Sequence, residues 1–249
     1  MKFIFIIFSF VLLFSCNQKK KTKVLTAQEI VNKAITVSCQ GNCDQATIEF
    51  TFRDRQYKST RNLGKYQLER FKIDSLGVIH DVLSNDGLNR YINDSLVIVP
   101  DSMVTRISDG VNSVHYFTQL PYGLNSAAVH KKLLGEGQIK GNNYLKIEVT
   151  FSEKGGGTDF DDRFVYWIHK ENFTVDYLAY SYATSGGGMR FREAYNIRTI
   201  EGVRFVDYNN YKPNSLEVKL ENLDELFEKE ELKLLSKIEN KGIKVTLLE

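Results

Sequence analysis

From Ala46 onward, apolar residues recur at every second position: Ile48, Phe50 and Phe52 alternate with Thr47, Glu49 and Thr51. Period two belongs to a strand with one buried face, because a helix would spread these side chains around its whole circumference. Further alternating or β-branched runs follow at 65–72, 78–84, 89–93 and 95–99. They are separated by Asp74-Ser75, Asp86-Gly87 and Asn93-Asp94, which favour turns. After an interruption, strands are expected near 144–152, 163–169, 174–183, 189–200 and 203–211. Consecutive strands joined by short turns pair with their chain neighbours. The pattern predicts a mainly β (α+β) fold: a single antiparallel meander forming an incomplete barrel.

Helical spacing occurs in three places. Thr26-Ala27-Gln28-Glu29 is a capping box, and Ile30, Val31, Ala34 and Ile35 follow on one helical face, which predicts an amphipathic helix ending near Ser38. Residues 101–130 break the alternation and read as helical insertions covering one face of the meander, with a helical turn over 126–134. A short helix is expected at 224–229, followed by strands.

Upstream of all this, Lys2 precedes an apolar run from Phe3 to Phe14, well short of the roughly 20 residues that a spanning helix needs. The run ends in Leu13-Phe14-Ser15-Cys16, which resembles the box cut by the lipoprotein signal peptidase. Residues 1–15 are read as a signal peptide, Cys16 as the lipid-carrying residue and 16–25 as a polar tether rich in lysine. One domain is expected over 26–249. No acidic residue follows Cys16 directly, and a periplasm-facing protein anchored to an envelope membrane is expected. The membrane, reached through that lipid, is the one partner that the sequence indicates.

Lys and Arg number 33 against 31 Asp and Glu, a net charge of +2, so the basic excess of a nucleic-acid binder is missing. Cys39 and Cys43 are spaced Cys-Gln-Gly-Asn-Cys. In an oxidising envelope a short-loop disulfide is the expected state, with free thiols as the alternative. No third or fourth ligand has metal-site spacing, so neither a metal nor another cofactor is expected.

Several segments carry a resemblance. They are Phe52-Arg53-Asp54-Arg55, the stretch Val114-His115-Tyr116-Phe117-Thr118-Gln119-Leu120-Pro121-Tyr122-Gly123-Leu124-Asn125, Phe164-Val165-Tyr166-Trp167-Ile168, Gly186-Gly187-Gly188-Met189-Arg190-Phe191-Arg192-Glu193-Ala194-Tyr195-Asn196 and Arg204-Phe205-Val206-Asp207-Tyr208. Together they resemble a family of uncharacterised bacterial envelope lipoproteins, a domain of unknown function. More distantly, the architecture resembles the lipoprotein-localisation carrier and receptor proteins. This likeness implies an incomplete barrel whose concave face holds lipid; it implies no activity.

Counting strand directions places two triple-glycine loops, 155–157 and 186–188, at the same end of the meander. Asp159, Asp161 and Asp162 follow the first loop, and Arg190 and Arg192 follow the second. Solvated charges around wide turns are the simple reading. A ligand mouth in which Arg190 or Arg192 pairs an anionic group is the sharper one, and a calcium loop at 159–162 is a third. Alternation puts Met189, Phe191, Glu193, Tyr195 and Ile197 on one face of their strand and Arg190, Arg192, Ala194, Asn196 and Arg198 on the other. A two-residue turn at Glu201-Gly202 would set Tyr195 opposite Tyr208, Glu193 opposite Asn210 and Asn196 opposite Asp207. Tyr116, Phe117, Tyr122, Leu124, Phe191 and Tyr195 are the apolar candidates for an amphiphile pocket, with Arg190, Arg192 and Glu193 as its polar members.

No hydrolase elbow, zinc-protease helix, phosphate loop or dinucleotide fingerprint is present. A non-enzymatic lipoprotein binding a lipid or acyl chain leads the readings. A structural or sensory interaction module with a solid core is the alternative, and a hydrolase or lyase using Glu193, Asp207 and nearby histidines comes last.

Overall fold

A computed structural model describes residues 24–248 except 156, 158 and 159. The expected signal peptide, Cys16 and most of the expected tether lie outside the described residues, as does Asp159 of the postulated calcium loop.

The first helix, α1 (Ala27–Cys39), starts at the capping box: Thr26 Oγ1 accepts from the Glu29 amide, and Glu29 receives the Thr26 amide in return. Its apolar stripe, Ile30, Val31 and Ala34, is fully buried. Cys39 and Cys43 form a disulfide just beyond its last turn. Six strands follow: β1 (Gln45–Phe52), β2 (Arg55–Asn62), β3 (Lys65–Asp74), β4 (Gly77–Ser84), β5 (Gly87–Ile92) and β6 (Ser95–Val97). Strand β2 is absent from the alternation pattern because its sequence, Arg-Gln-Tyr-Lys-Ser-Thr-Arg-Asn, is polar on both faces. Pairing with β1 and β3 in full register creates it.

Helix α2 (Asp101–Thr118) then breaks the meander. A 3-10 turn at Tyr122–Asn125 leads into β7 (Val129–Ile139), β8 (Asn142–Phe151), β9 (Arg163–His169), β10 (Val175–Tyr182), β11 (Gly188–Ile200) and β12 (Val203–Pro213). A short helix, α3 (Leu223–Glu228), precedes β13 (Leu232–Ile238) and β14 (Asn240–Leu247). The helical turn expected over 126–134 is not there. Those residues are mostly strand, since β7 pairs along its length with β8 and the poor helix formers Gly135 and Gly137 lie within it.

The mainly β class, the incomplete closure and the helical covers hold, but the meander is divided. Strands pair into two seven-stranded antiparallel sheets, ordered β14-β1-β2-β3-β4-β5-β6 and β13-β12-β11-β10-β9-β8-β7. Only Glu239 separates β13 from β14, so one bent ribbon passes from the edge of the second sheet to the edge of the first. Asp207 pins the bend: it accepts from Arg198 Nη2 at 2.8 Å, Asn196 Nδ2 at 2.6 Å and the Asn240 amide at 3.0 Å. Opposite this seam, the edges β6 and β7 do not pair, and the chain passes between them through α2, which is buried on one face only.

Register in the β11–β12 hairpin also departs from the simple turn. Asn196 takes a left-handed φ of 48°, and the pairing shifts between Tyr195 and Arg198. The bulge moves Tyr195 opposite Asp207, Ala194 opposite Tyr208 and Glu193 opposite Asn209.

Candidate ligand cleft

Helix α2 divides its faces by i, i+3, i+4 spacing. Ile107, Val111, Val114, His115 and Thr118 are buried, whereas Asp109, Asn112, Ser113, Tyr116 and Phe117 form a stripe that continues to Leu120 and faces the second sheet. Between this stripe and the inner faces of β8 to β11 lies a cavity of about 360 Å³, whose opposite wall is Phe151, Phe164, Leu178, Tyr180 and Arg192. Gly155, Gly157 and Asp162, from the first glycine loop, complete the lining. A second cavity of about 200 Å³ shares Asn112, Tyr116, Phe151 and Gly155 with the first. Its other walls are more polar: Arg61, His115, Gln119, Tyr122 and Ser126. The two form one cleft with an aromatic chamber and a polar chamber.

Tyr116 is the shared post. Its hydroxyl lies 2.9 Å from that of Tyr166 across the cleft. Burial pushes Tyr116 up to about 12 and Tyr166 well above the usual phenol range, so both stay neutral. Phe117 packs edge-on against Phe52 of β1, with centroids 5.3 Å apart, and Phe164 stacks with Tyr180 at 5.4 Å. In the polar chamber, Arg61 donates to Ser59 Oγ at 2.8 Å and to Gln119 Oε1 at 2.6 Å. Burial, with Arg61 adding to it, lowers His115 to about 3. The ring is therefore neutral, and Nε2–H donates to the Glu69 carbonyl at 3.1 Å.

The sequence-level candidates separate into three groups. Tyr116, Phe117 and Arg192 meet in the aromatic chamber, and Tyr122 lines the polar one, donating to Asp44. Leu124 is fully buried core. Phe191, Glu193 and Tyr195 lie on the other face of β11. There Phe191 packs on Trp167 and Phe227 at 5.4 and 5.0 Å, beneath α3. Glu193 accepts from Lys140, from Asn209 at 3.1 Å and from Tyr211 at 3.2 Å. Burial alone would raise its carboxyl, but these bonds outweigh burial and lower it. Tyr195 donates to Glu239 at 2.9 Å. Arg190 lies over the Tyr182 ring beside Gly187 and Gly188, in a separate rim depression.

Asn112, Phe151, Phe164, Leu178, Tyr180 and Arg61 escaped the sequence reading. The α2 stripe was legible as helical spacing, but the strand residues join it only through pairing: Phe164 opposite Tyr180, and Leu178 opposite Arg192. Among the described residues, no three His, Cys, Asp or Glu side chains are grouped as metal ligands, and no helix is long and apolar enough to cross a membrane. His80 and His115 both bond Glu69, at its carboxylate and its carbonyl respectively, whereas His130 bonds Ser152 and His169 accepts from the Glu171 amide.

The model of a family of unknown function, DUF6503, matches residues 2–240. The chain belongs to that family. No curated protein matches it. Among solved structures, a DUF1329 family protein from Desulfovibrio piger is similar at 13% identity and a TM-score of 0.54, covering 89% of this chain and 93% of that one. That likeness shows a shared fold. A LolA superfamily protein from Nitrosomonas europaea matches at 13% identity and a TM-score of 0.48, over 91% of this chain and 94% of its own. A putative outer membrane lipoprotein-sorting protein domain from Vibrio parahaemolyticus matches at 8% and 0.43, over 87% and 93%.

Proposed function

We propose that this chain is a lipid-anchored envelope lipoprotein that binds a hydrophobic or amphipathic molecule in the cleft between α2 and the second sheet. The supporting observation is the aromatic chamber itself. Its volume of about 360 Å³ falls within the roughly 300–1,000 Å³ typical of small-molecule sites, and Phe151, Phe164, Leu178 and Tyr180 give it an apolar wall opposite the polar residues Asp109, Asn112 and Ser113 of α2. In this reading Cys16 carries the lipid and the domain faces the periplasm, so the binding occurs at a membrane surface.

Native mass spectrometry of the purified protein should reveal a bound species released by organic solvent. Ser113 is an exposed member of the lining, and Ser113→Trp should expel that species while changing stability by no more than about 0.5 kcal/mol. A protein that carries no such species and binds no apolar fluorophore would overturn the reading. Intact mass of the N-terminal peptide tests Cys16 separately: an unmodified cysteine would remove the anchor.

A further inference from the structure

An arginine enclosed by aromatic rings needs a counter-ion, because burial penalises an uncompensated charge heavily. Two other arginines of the second sheet follow this rule: buried Arg204 pairs with Asp176, and part-buried Arg198 pairs with Asp207. Arg192 does not. Its guanidinium carbon lies 5.2, 5.1 and 5.9 Å from the ring centroids of Phe117, Tyr180 and Tyr208. Nη2 donates to the Tyr180 hydroxyl at 3.1 Å, while the buried Nε has no acceptor among the described residues. Asp109 and Asp162 share the chamber, but each has interactions of its own and neither forms an ion pair with Arg192. Nor does the Tyr208 phenol supply negative charge, since burial pushes it up to about 12.

The rings surround the guanidinium and leave N–H groups without acceptors among the described residues. That edge matches the two oxygens of a carboxylate or phosphate, which a guanidinium binds as a fork. We propose that Arg192 is the anion-recognition residue of the cleft, and that the ligand is an amphiphile whose carboxylate or phosphate seats on it while its apolar part lies along Phe151, Phe164 and Leu178. The inference rests on the cleft being a ligand site and adds the chemical class of the ligand.

Calorimetric titration of the purified protein with dodecanoate, dodecyl phosphate and dodecanol tests it. A charge-assisted hydrogen bond favours the bound anion by about tenfold to a hundredfold, so at least one of the two anions should bind that much more tightly than the alcohol. Whichever anion binds better identifies a carboxylate or a phosphate source. Arg192→Gln should bring the anions down to the affinity of dodecanol, and Arg192→Lys should retain part of the preference. Dodecanol binding as tightly as both anions to the unmodified protein, a comparison that needs no variant, overturns the role of Arg192 and leaves the cleft reading intact. An anion preference that survives Arg192→Gln does the same. If none of the three binds, the cleft reading fails and the inference fails with it.

Discussion

The two sheets have equal strand numbers and both touch α2, yet they are built on opposite principles. The second sheet is covered twice. Its outer face buries Val165, Trp167, Tyr177 and Phe191 beneath Leu220, Leu223 and Phe227 of the α3 segment, and its inner face meets α2. Strand β9 accordingly has an unbroken buried run from Val165 to Ile168. The first sheet is covered once, and its outer face leaves Ile73 and Leu96 at 82% and 65% exposure beside a Phe71, His80 and Tyr91 row. Against α2 it presents charge: Asp81, fully buried, accepts from Arg70 Nη2 at 2.7 Å and Arg90 Nε at 2.6 Å. A sheet anchored from behind can leave a chamber on its inner face. A sheet with only one covered face must use that face for its own cohesion.

Removing the carboxylate in Asp81→Ala strands two arginines, and the expected loss is about 3–5 kcal/mol in urea denaturation. A smaller loss would mean that apolar contacts carry the first sheet. In the second sheet, Phe191→Ala empties space between Trp167 and Phe227 and should cost about 3–5 kcal/mol. It should do so without weakening amphiphile binding, because the ring lies on the face away from the cleft. Lost binding at full stability would break the division between the faces of β11.

At the junction of α2 with the first sheet, His115 supplies a pH signature. Its folded-state pKa of about 3 lies below the unfolded 6.5, so between those values the unfolded chain holds the extra proton. Stability is then full above pH 6.5 and falls on acidification towards pH 3, by about 1.4 kcal/mol per pH unit at its steepest. His115→Phe should remove this component of the slope, measured as the difference between the two proteins' stability profiles from pH 6 to 4. Identical slopes would show that the ring does not stay neutral in the fold. The smallest effect belongs to the open face: Leu96→Lys should change stability by no more than about 0.5 kcal/mol, and a large loss would reveal a cover on the first sheet.

Much of this was legible in the residues. Helix α1 announced itself through Thr26, Glu29 and its apolar stripe, since a capping box and i, i+4 spacing act within a few residues of chain. Strand alternation located most of the sheet for the same reason. Strand β2 was hidden because its partners, not its own hydrophobicity, make it a strand. The β11–β12 register was misplaced by one residue because the left-handed turn of Asn196 leaves no signature in an alternating pattern. Among the candidate residues, Tyr116, Phe117 and Arg192 meet at the cleft, but Phe191, Glu193 and Tyr195 were grouped with them although alternation already set them on the opposite face of the strand from Arg192.

By itself, then, the sequence determined the mainly β class, the position of each helix except the turn misread after Asn125, and the alternation of faces along β11. These follow from local sterics and from the period at which apolar side chains recur. Only the tertiary structure decided that α2 splits the strands into two sheets, that α3 covers the outer face of one of them, and that Arg192 faces the chamber with no ion-pair partner among the described residues. Those features depend on which distant surfaces meet, and a pairing across dozens of residues leaves no periodic mark on either partner.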